Sequence, residues 1–170
     1  MAHYDADRRS LAVSAQASIA WNWPCEFFLG AHRPHWIHPG KSRPMRPAGP
    51  LFVSYRRLRE RRTPYPKADT DFAVDSGGYS ELSIHGRWTI PAKEYAERMT
   101  AIAVQTGRLR WAAIQDWMCE PWIIAGGRPP NGGKPVPGTM LSVLEHQART
   151  VASLLELRSL APSVPWSEQR

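Results

Sequence analysis

The sequence reads Phe72-Ala73-Val74-Asp75-Ser76-Gly77-Gly78-Tyr79 near its middle, where a short apolar run meets a carboxylate and two glycines. An apolar run of this length is typical of a buried strand. The glycines after it let the backbone come very close to a flat ligand. A second apolar run, Trp111-Ala112-Ala113-Ile114-Gln115-Asp116, also ends in an acid. We therefore predict that Asp75 and Asp116 converge at one edge of a sheet.

Four apolar runs without strict alternation predict strands that are covered on both faces, as in a parallel sheet. These runs are residues 26–30, 51–54, 72–75 and 111–116. Residues 56–62 are a candidate short helix. Proline-rich residues 34–50 predict a loop, and residues 126–138, rich in glycine and proline, predict a long flexible insertion.

Two longer helices are predicted from apolar positions at helical spacing. Pro91 and Gly107 bound the first helix, and the pair Ser142 and Glu145 forms a capping-box pattern at the start of the second. The expected buried positions are Tyr95, Met99, Ile102 and Thr106 in the first helix and Leu144, Ala148, Val151 and Leu155 in the second.

Successive β-α units whose strands end in polar residues predict a β/α barrel, in which the loops after the strands form the active face. His32, Ser54, Asp75 and Asp116 would share that face. Complete barrels have eight such units in about 250 residues, whereas this chain supplies four and reaches residues 164–167 where a fifth strand should begin. We therefore predict an α/β fold, an incomplete TIM-type (β/α) barrel over residues 26–170, after a poorly ordered N-terminal segment, residues 1–25.

The excess of positive charge in the chain lies in one segment. The whole chain carries a net charge of +7, and residues 33–67 contain ten Lys or Arg side chains against the single acid Glu60. Arginine forks bind phosphates, and interleaved aromatic rings can stack on bases. The segment therefore predicts contacts with a nucleic-acid backbone, with Arg33, Arg43, Arg56 and Arg57 as candidates. An alternative is a solvated loop whose arginines serve solubility.

Several classes of protein are disfavoured by the composition. Cys25 and Cys119 form no C-x-x-C pair, so we expect reduced thiols rather than a zinc ribbon or a disulfide scaffold. No stretch approaches the length of a membrane span, and we expect a cytoplasmic protein. His32, His35 and His38 have ligand-like spacing, but the prolines among them disfavour a helix and no fourth ligand is evident. No metal and no cofactor is predicted.

These residues resemble the tRNA-guanine transglycosylase superfamily, and within it the branch that inserts 7-deazapurines into DNA. The superfamily shares the Asp-Ser-Gly-Gly-aromatic signature at Asp75-Ser76-Gly77-Gly78-Tyr79. The likeness runs from about residue 26 to 165. The pieces that resemble the branch are Phe28-Leu29-Gly30-Ala31-His32, Leu51-Phe52-Val53-Ser54 with Arg56-Arg57-Leu58, Glu81-Leu82-Ser83-Ile84-His85-Gly86-Arg87-Trp88, Gln115-Asp116-Trp117-Met118-Cys119-Glu120-Pro121 and Glu145-His146-Gln147.

The resemblance implies exchange of a base without cleavage of the strand. In the family a carboxylate attacks the anomeric carbon of a guanine nucleotide, guanine leaves, and a 7-deazaguanine base replaces it. The resemblance implies that Asp75 acts in proton transfer, that Tyr79 stacks on the base and that Asp116 holds the purine edge. Ser76, Gly77, Gly78 and Gln115 are the further expected substrate contacts. DNA is the expected substrate, with tRNA less favoured.

The chain also departs from the family. The attacking carboxylate of the family lies on the second half of the barrel, so no nucleophile is carried over, and the zinc-binding cysteines of the tRNA-acting members are absent. We expect a truncated protein that needs a second chain or its own copy to complete the barrel. Two alternatives remain: a non-catalytic nucleic-acid or purine-binding fragment that needs a partner half, and an unrelated hydrolase with paired carboxylates.

The individual residues have alternative interpretations too. Asp75 is also compatible with a turn aspartate that caps a backbone N–H. Asp116 is also compatible with a structural ion pair to an arginine. His85 and His146 are predicted to be structural hydrogen-bonding residues, and the tryptophans are expected first to pack in the core or at the rim.

Overall fold

Four short parallel strands lie side by side in the order of the chain. We describe residues 26–38 and 49–167 of a computed structural model. Segment 1–25 and Arg43, both subjects of the predictions above, lie outside the described residues. The elements are β1 (Leu29–Ala31), a 3-10 helix (Pro34–Ile37), β2 (Leu51–Ser54), α1 (Tyr55–Leu58), β3 (Phe72–Asp75), α2 (Gly78–His85), α3 (Ala92–Thr106), β4 (Leu109–Ala112), α4 (Pro121–Ala125) and α5 (Val143–Leu160).

The sheet has the order β1-β2-β3-β4 and all its pairings are parallel. Ser54 at the end of β2 pairs with Asp75 at the end of β3. Polar residues that follow the strands therefore meet at one edge, the C-terminal edge of the sheet. The result is an open α/β sheet with helical crossovers, as expected for an incomplete TIM-type barrel.

Two predicted strands have different bounds in the structure. The run predicted at residues 26–30 forms pairs only from Leu29 to Ala31, and Phe27 outside the ladder is exposed. The run predicted at 111–116 begins earlier, at Leu109, and ends at Ala112. Beyond β4 the Ala113 N–H still donates to Val74 O, but the Asp116 N–H turns back to Ile114 O at 2.9 Å. Asp116 therefore lies on a turn after the strand.

The chain returns to the sheet at the position where the sequence predicts a fifth strand, but only one bridge forms there among the described residues. Trp166 forms an isolated parallel bridge with Ala112 of β4. The Ala112 N–H donates to Pro165 O at 2.9 Å, and the Ser167 N–H donates to Ala112 O at 2.8 Å. The β4-α5 crossover therefore returns the chain to the sheet beside β4, in the manner of a β/α barrel.

Helix α3 confirms the predicted boundaries and the predicted buried face. Its four expected core positions are all buried, and Tyr95 and Met99 lie in the main hydrophobic core with residues of β2, β3 and α5. Gly107 ends the helix in the left-handed conformation, with φ of 72°, and its N–H donates to Ala103 O. Pro91 before the helix and Gly107 after it were sufficient to predict where α3 begins and ends.

Helix α5 has the predicted start but not the predicted buried face. Ser142 and Glu145 form a complete capping box. The four positions expected in the core are exposed, with Leu144 at 75% and Leu155 at 61%. His146 and Leu157 are buried instead. The reason is that both ring nitrogens of His146 are hydrogen-bonded inside the fold, and these bonds fix the rotation of the helix.

The ring of His146 has a structural role, as predicted. Its Nδ1 lies 2.6 Å from Met118 O, and its Nε2 lies 2.6 Å from Thr139 Oγ1. A carbonyl oxygen only accepts, so Nδ1 donates to Met118 O, while Nε2 and the Thr139 hydroxyl share the second hydrogen bond. This pair of bonds ties α5 to the segment that follows Asp116.

The glycine-rich residues 126–138 form a closed loop rather than a free insertion. Gly127 and Val136 form an antiparallel bridge through two backbone hydrogen bonds. Val136 is buried in a small second core with Leu82 and Ile123. The loop therefore folds back over α4, beside the C-terminal edge of the sheet. Within the described residues, no helix combines the length and the apolar character needed to cross a membrane.

Candidate functional site

Asp75 and Asp116 both lie at the C-terminal edge of the sheet. Asp75 is the last residue of β3 and is half-buried, and Asp116 lies on the turn beyond β4. The hydroxyl of Ser76, the residue after Asp75, donates to Asp116 Oδ1 at 3.0 Å, so the two segments that carry these acids meet. Burial raises the pKa of Tyr95 well above its ordinary value, and the charges of Asp75 and Asp116 add to the rise; its hydroxyl donates to Ala113 O at 2.8 Å. The predicted convergence of the two acids is therefore observed.

Ser76 connects the two segments that carry these acids. The Ser76 hydroxyl donates to Asp116 Oδ1 at 3.0 Å and accepts from the Gly78 N–H at 3.2 Å. The Trp88 indole N–H donates to the backbone oxygen of Asp116 at 3.1 Å. Asp116 is therefore held by a hydroxyl and an indole rather than by an arginine. Such a network fixes the direction of its carboxylate before any ligand arrives.

The pKa of Asp116 is raised above its ordinary value. Burial is the main cause, because it disfavours the charged form. The hydrogen bond from Ser76 and that from the backbone N–H of Asp116 act in the opposite direction, and the nearby charges of Asp75 and Glu120 add to the rise. A ligand that presents N–H donors to this carboxylate would relieve the penalty and favour the ionised form.

The two glycines of the signature have different roles: Gly77 allows a left-handed backbone conformation, and Gly78 allows a close approach to Asp116. Gly77 has φ of 79°, which side chains other than glycine rarely adopt. A Cβ on Gly78 would lie 2.9 Å from Asp116 Oδ1 and 3.0 Å from Trp88 Cζ2. The backbone of α2 therefore reaches the carboxylate only because Gly78 has no side chain. Tyr79, the next residue, is 41% exposed, and its ring is accessible to a flat ligand.

Gln115 has a structural contact in place. Its side chain is buried, and the amide Nε2 donates to Ile90 O at 2.8 Å. Ile90 lies just before α3, so this bond joins the residue beside Asp116 to the connection between α2 and α3. A contact between Gln115 and a substrate stays a prediction.

Glu81 positions α2 and was not found as a site residue from the sequence. Its side chain is buried, and it accepts from Arg59 Nη1 at 3.1 Å and from the backbone N–H and hydroxyl of Thr89. Burial alone would raise the pKa of Glu81, but the bonds from Thr89 and Arg59 outweigh it and lower that pKa. Arg59 and Thr89 lie 22 and 8 residues away, outside the helix that carries Glu81, so no pattern within that helix could have indicated them.

Basic side chains occupy the β1 and β2 end of the same edge. Arg33, Arg56 and Arg57 are exposed, and they follow β1 and β2 within a few residues. Arg56 Nη1 donates to Ser80 Oγ on α2 at 2.6 Å. The edge is therefore cationic after the first two strands and carries carboxylates after the next two.

An open cavity of about 380 Å³ lies between Asp116 and α5. Ile114, Trp117 and Cys119 line it on one side, and Thr150 and Leu154 of α5 on the other. Arg149 stacks over the Trp117 ring, with Cζ 4.7 Å from the ring centroid. Sequence reasoning did not find this cavity, because it depends on the rotation of α5.

The described part of the chain contains no group of three or more His, Cys, Asp or Glu side chains placed to hold a metal ion. His32 is exposed after β1, His35 lies in the 3-10 helix and His38 follows it. Burial, together with the charge of Arg61, lowers the pKa of His38.

Comparison with known proteins gives a match to a protein-family model. The family model for DpdA, described as DeoxyPurine in DNA protein A, matches residues 24–169. No curated protein matches the chain, and no solved structure does. The matched residues include both carboxylates, the two glycines and the basic segment.

The close approach at Gly78 predicts a severe effect of one added methyl group. We expect Gly78→Ala to push Asp116 and Trp88 out of position and to lower the free energy of unfolding by about 1–3 kcal/mol. Urea denaturation at neutral pH measures the change. Gly30→Ala is the matched control, because a Cβ at Gly30 meets no atom within 4 Å. Equal stability of the two variants would contradict the tight contact.

Proposed function

We propose a base-exchange function from one premise: the chain belongs to the DpdA family, DeoxyPurine in DNA protein A. The family acts in the modification of DNA with 7-deazaguanine bases. The proposal is that this chain forms the base-binding half of a DNA guanine transglycosylase. The observation that carries it is the convergence of Asp75 and Asp116, joined through Ser76 and approached by the backbone of Gly78.

In the proposed reaction a carboxylate attacks C1′ of a deoxyguanosine in the strand. The bond from C1′ to N9 breaks, and guanine leaves after it gains a proton. A 7-deazaguanine base then attacks C1′, loses its N9 proton and displaces the carboxylate. Both backbone phosphodiesters stay intact, and no oxidant or reductant is needed.

Asp75 is proposed to carry the proton in both steps. It lies at the end of β3, directly beside the buried serine and the glycines, and it is half-buried rather than sealed off. A carboxyl group in this position can protonate the leaving base and then accept a proton from the incoming one. The attacking carboxylate is not assigned to any described residue.

Asp116 is proposed to recognise the purine edge. Guanine and 7-deazaguanine present N1–H and the exocyclic amine side by side, and the two oxygens of a carboxylate can accept from both. The bond from Ser76 orients the carboxylate. Burial raises the pKa of Asp116, and N–H donors of a bound base would stabilise its ionised form. Tyr79 is proposed to stack on the base, with the backbone of Gly77 and Gly78 beneath it.

We also propose that a second polypeptide, or a second copy of this chain, pairs with the open sheet. β1 is an outer strand of the described sheet, and on the other side the chain's own segment at Trp166 pairs with β4 only at Ala112. Unpaired strand edges invite such pairing. The added β-α units would carry the attacking carboxylate.

A second candidate function is binding without catalysis. It is favoured by one observation: the base site can be built from the described residues, but the nucleophile cannot. In that case the chain would hold a purine or a DNA strand and would act only when a partner half is present. A hydrolase with paired carboxylates is less favoured, because the Ser76 hydroxyl is already bonded to Asp116 and ties it to the signature loop.

Mass spectrometry of digested nucleosides tests the proposed function. DNA is incubated with 7-deazaguanine and the chain, alone and together with a polypeptide that supplies the remaining β-α units. We expect incorporation only in the second case, and none with Asp75→Asn. Incorporation by the chain alone would refute the need for a second half. Base binding without incorporation in either case would support the binding function, and a tRNA arm tests the other substrate class.

Sedimentation tests the pairing of the open sheet. We expect self-association, or association with the added half, in analytical ultracentrifugation at micromolar concentration. A stable, monodisperse monomer that does not associate with the added half would contradict this proposal.

Replacement of Asp116 tests base recognition. Asp116→Asn places an amide donor opposite a donor of the base, so we expect affinity for 7-deazaguanine to fall about tenfold to a hundredfold, measured by calorimetry. The exposed Asp69→Asn is the matched control. Unchanged affinity of the Asp116 variant would remove this residue from the base site.

The same variant should not lose stability. The folded-state pKa of Asp116 is raised, so its ionisation opposes folding as the pH rises through the unfolded and then the folded pKa. Asparagine removes that cost at neutral pH, and its Oδ1 can still accept from Ser76. For the wild-type chain, base affinity should fall as the pH drops through the raised pKa, and the variant should lack this dependence.

A further inference from the structure

A small polar cavity lies at the end of β2, beside the proposed base site. Its volume is about 160 Å³, and its lining consists of Ser54, Arg56, Arg57, Glu60 and Ser80. Ser54 is the register partner of Asp75. The cavity is therefore one strand away from the proposed proton carrier, on the side opposite to Asp116.

Arg56 is held in a defined position at this cavity. Its Nη1 donates to Ser80 Oγ at 2.6 Å. Its Cγ would lie 3.0 Å from a Cβ on Gly77, so the stem of the arginine runs close over the signature loop. The Ser54 hydroxyl lies near the same point, 3.7 Å from that Cβ position. One arginine thus joins α1, the signature loop and α2.

The chemistry of the lining suits a single phosphate group. A guanidinium has five N–H donors, and Ser80 takes one of them in the contact above. The hydroxyls of Ser54 and Ser80 can each donate a further hydrogen bond to an oxyanion. Two arginines outweigh the one carboxylate, Glu60. The neighbouring Arg59 is paired with Glu81, so it serves the fold rather than this cavity.

We propose that this cavity binds one phosphate of the nucleotide that is exchanged; the proposal rests on the function proposed above. The nucleotide then lies across the strands with its phosphate after β2, its sugar near Asp75 after β3 and its base toward Asp116 after β4. Neighbouring strands are about 4.8 Å apart, so the route from β2 to β4 spans about 10 Å. A single nucleotide can bridge that span.

Oligonucleotides with one neutral linkage test the site. A DNA strand with a single deoxyguanosine is prepared in a series in which one phosphate at a time is replaced by a methylphosphonate. Binding is measured by fluorescence anisotropy. We expect the neutral linkage on one side of the deoxyguanosine to weaken binding about tenfold, and the remaining linkages to have smaller, uniform effects.

Variants of Arg56 assign the effect to the cavity. Arg56→Ala should bind more weakly and should lose the special effect of that one linkage, whereas Arg56→Lys should retain part of it. Arg108→Ala is the matched control: Arg108 is exposed and bonds Asp71 at the opposite edge of the sheet. Two results would overturn the proposal. In one, Arg56→Ala still shows the larger loss of affinity at that one linkage; in the other, every neutral linkage weakens binding to the wild-type chain equally. Thermal unfolding checks that each variant folds.

An abasic arm separates this proposal from the function on which it rests. If the deoxyguanosine is replaced by an abasic site and affinity does not change, the base site fails, whatever the linkages do. If affinity depends on the guanine but every neutral linkage weakens binding to the same extent, the proposed base site is supported and the proposed phosphate site is refuted.

Discussion

The approach of the α2 backbone to Asp116 is the constraint on which the site depends. A Cβ on Gly78 would lie 2.9 Å from the carboxylate oxygen that Ser76 hydrogen-bonds. Because Gly78 lacks that atom, the segments after β3 and β4 meet and the Asp116 carboxylate is enclosed between them. The enclosure also raises the pKa of the acid. The same packing that positions the carboxylate therefore makes its charge unfavourable, even with the hydrogen bond from Ser76, until further donors face it.

The parts of the fold that the sequence predicted correctly have signals that lie close together in the chain. Helix α3 is bounded by Pro91 and Gly107, and α5 starts at a capping box formed by Ser142 and Glu145. Strands β2 and β3 are short apolar runs that the structure reproduces residue for residue. The site signature was found for the same reason, since Asp75, the serine and both glycines are consecutive.

The parts that sequence reasoning missed depend on contacts between distant residues. The rotation of α5 follows from the bonds of His146 to Met118 and Thr139, and an apolar count along the helix selected the wrong face. Helix α2 was not predicted at all. Its position depends on Glu81, whose partners Arg59 and Thr89 lie on other segments. The predicted end of β4, at residue 116, was wrong. The chain turns through a backbone hydrogen bond from Asp116 N–H to Ile114 O, and the residue types in this segment do not indicate such a bond.

Because of the order of the strands, the charge changes from positive to negative across the C-terminal edge of the sheet. In a sheet whose spatial order equals its chain order, early basic residues and late acids separate along one edge. A polyanion is attracted to the end near Arg56 and repelled from the end near Asp75 and Asp116. An uncharged base with N–H donors experiences the reverse preference, because it relieves the burial of the carboxylates. For the proposed nucleotide substrate, the field at this edge would favour one orientation, with phosphate and base at opposite ends of the same row of strands.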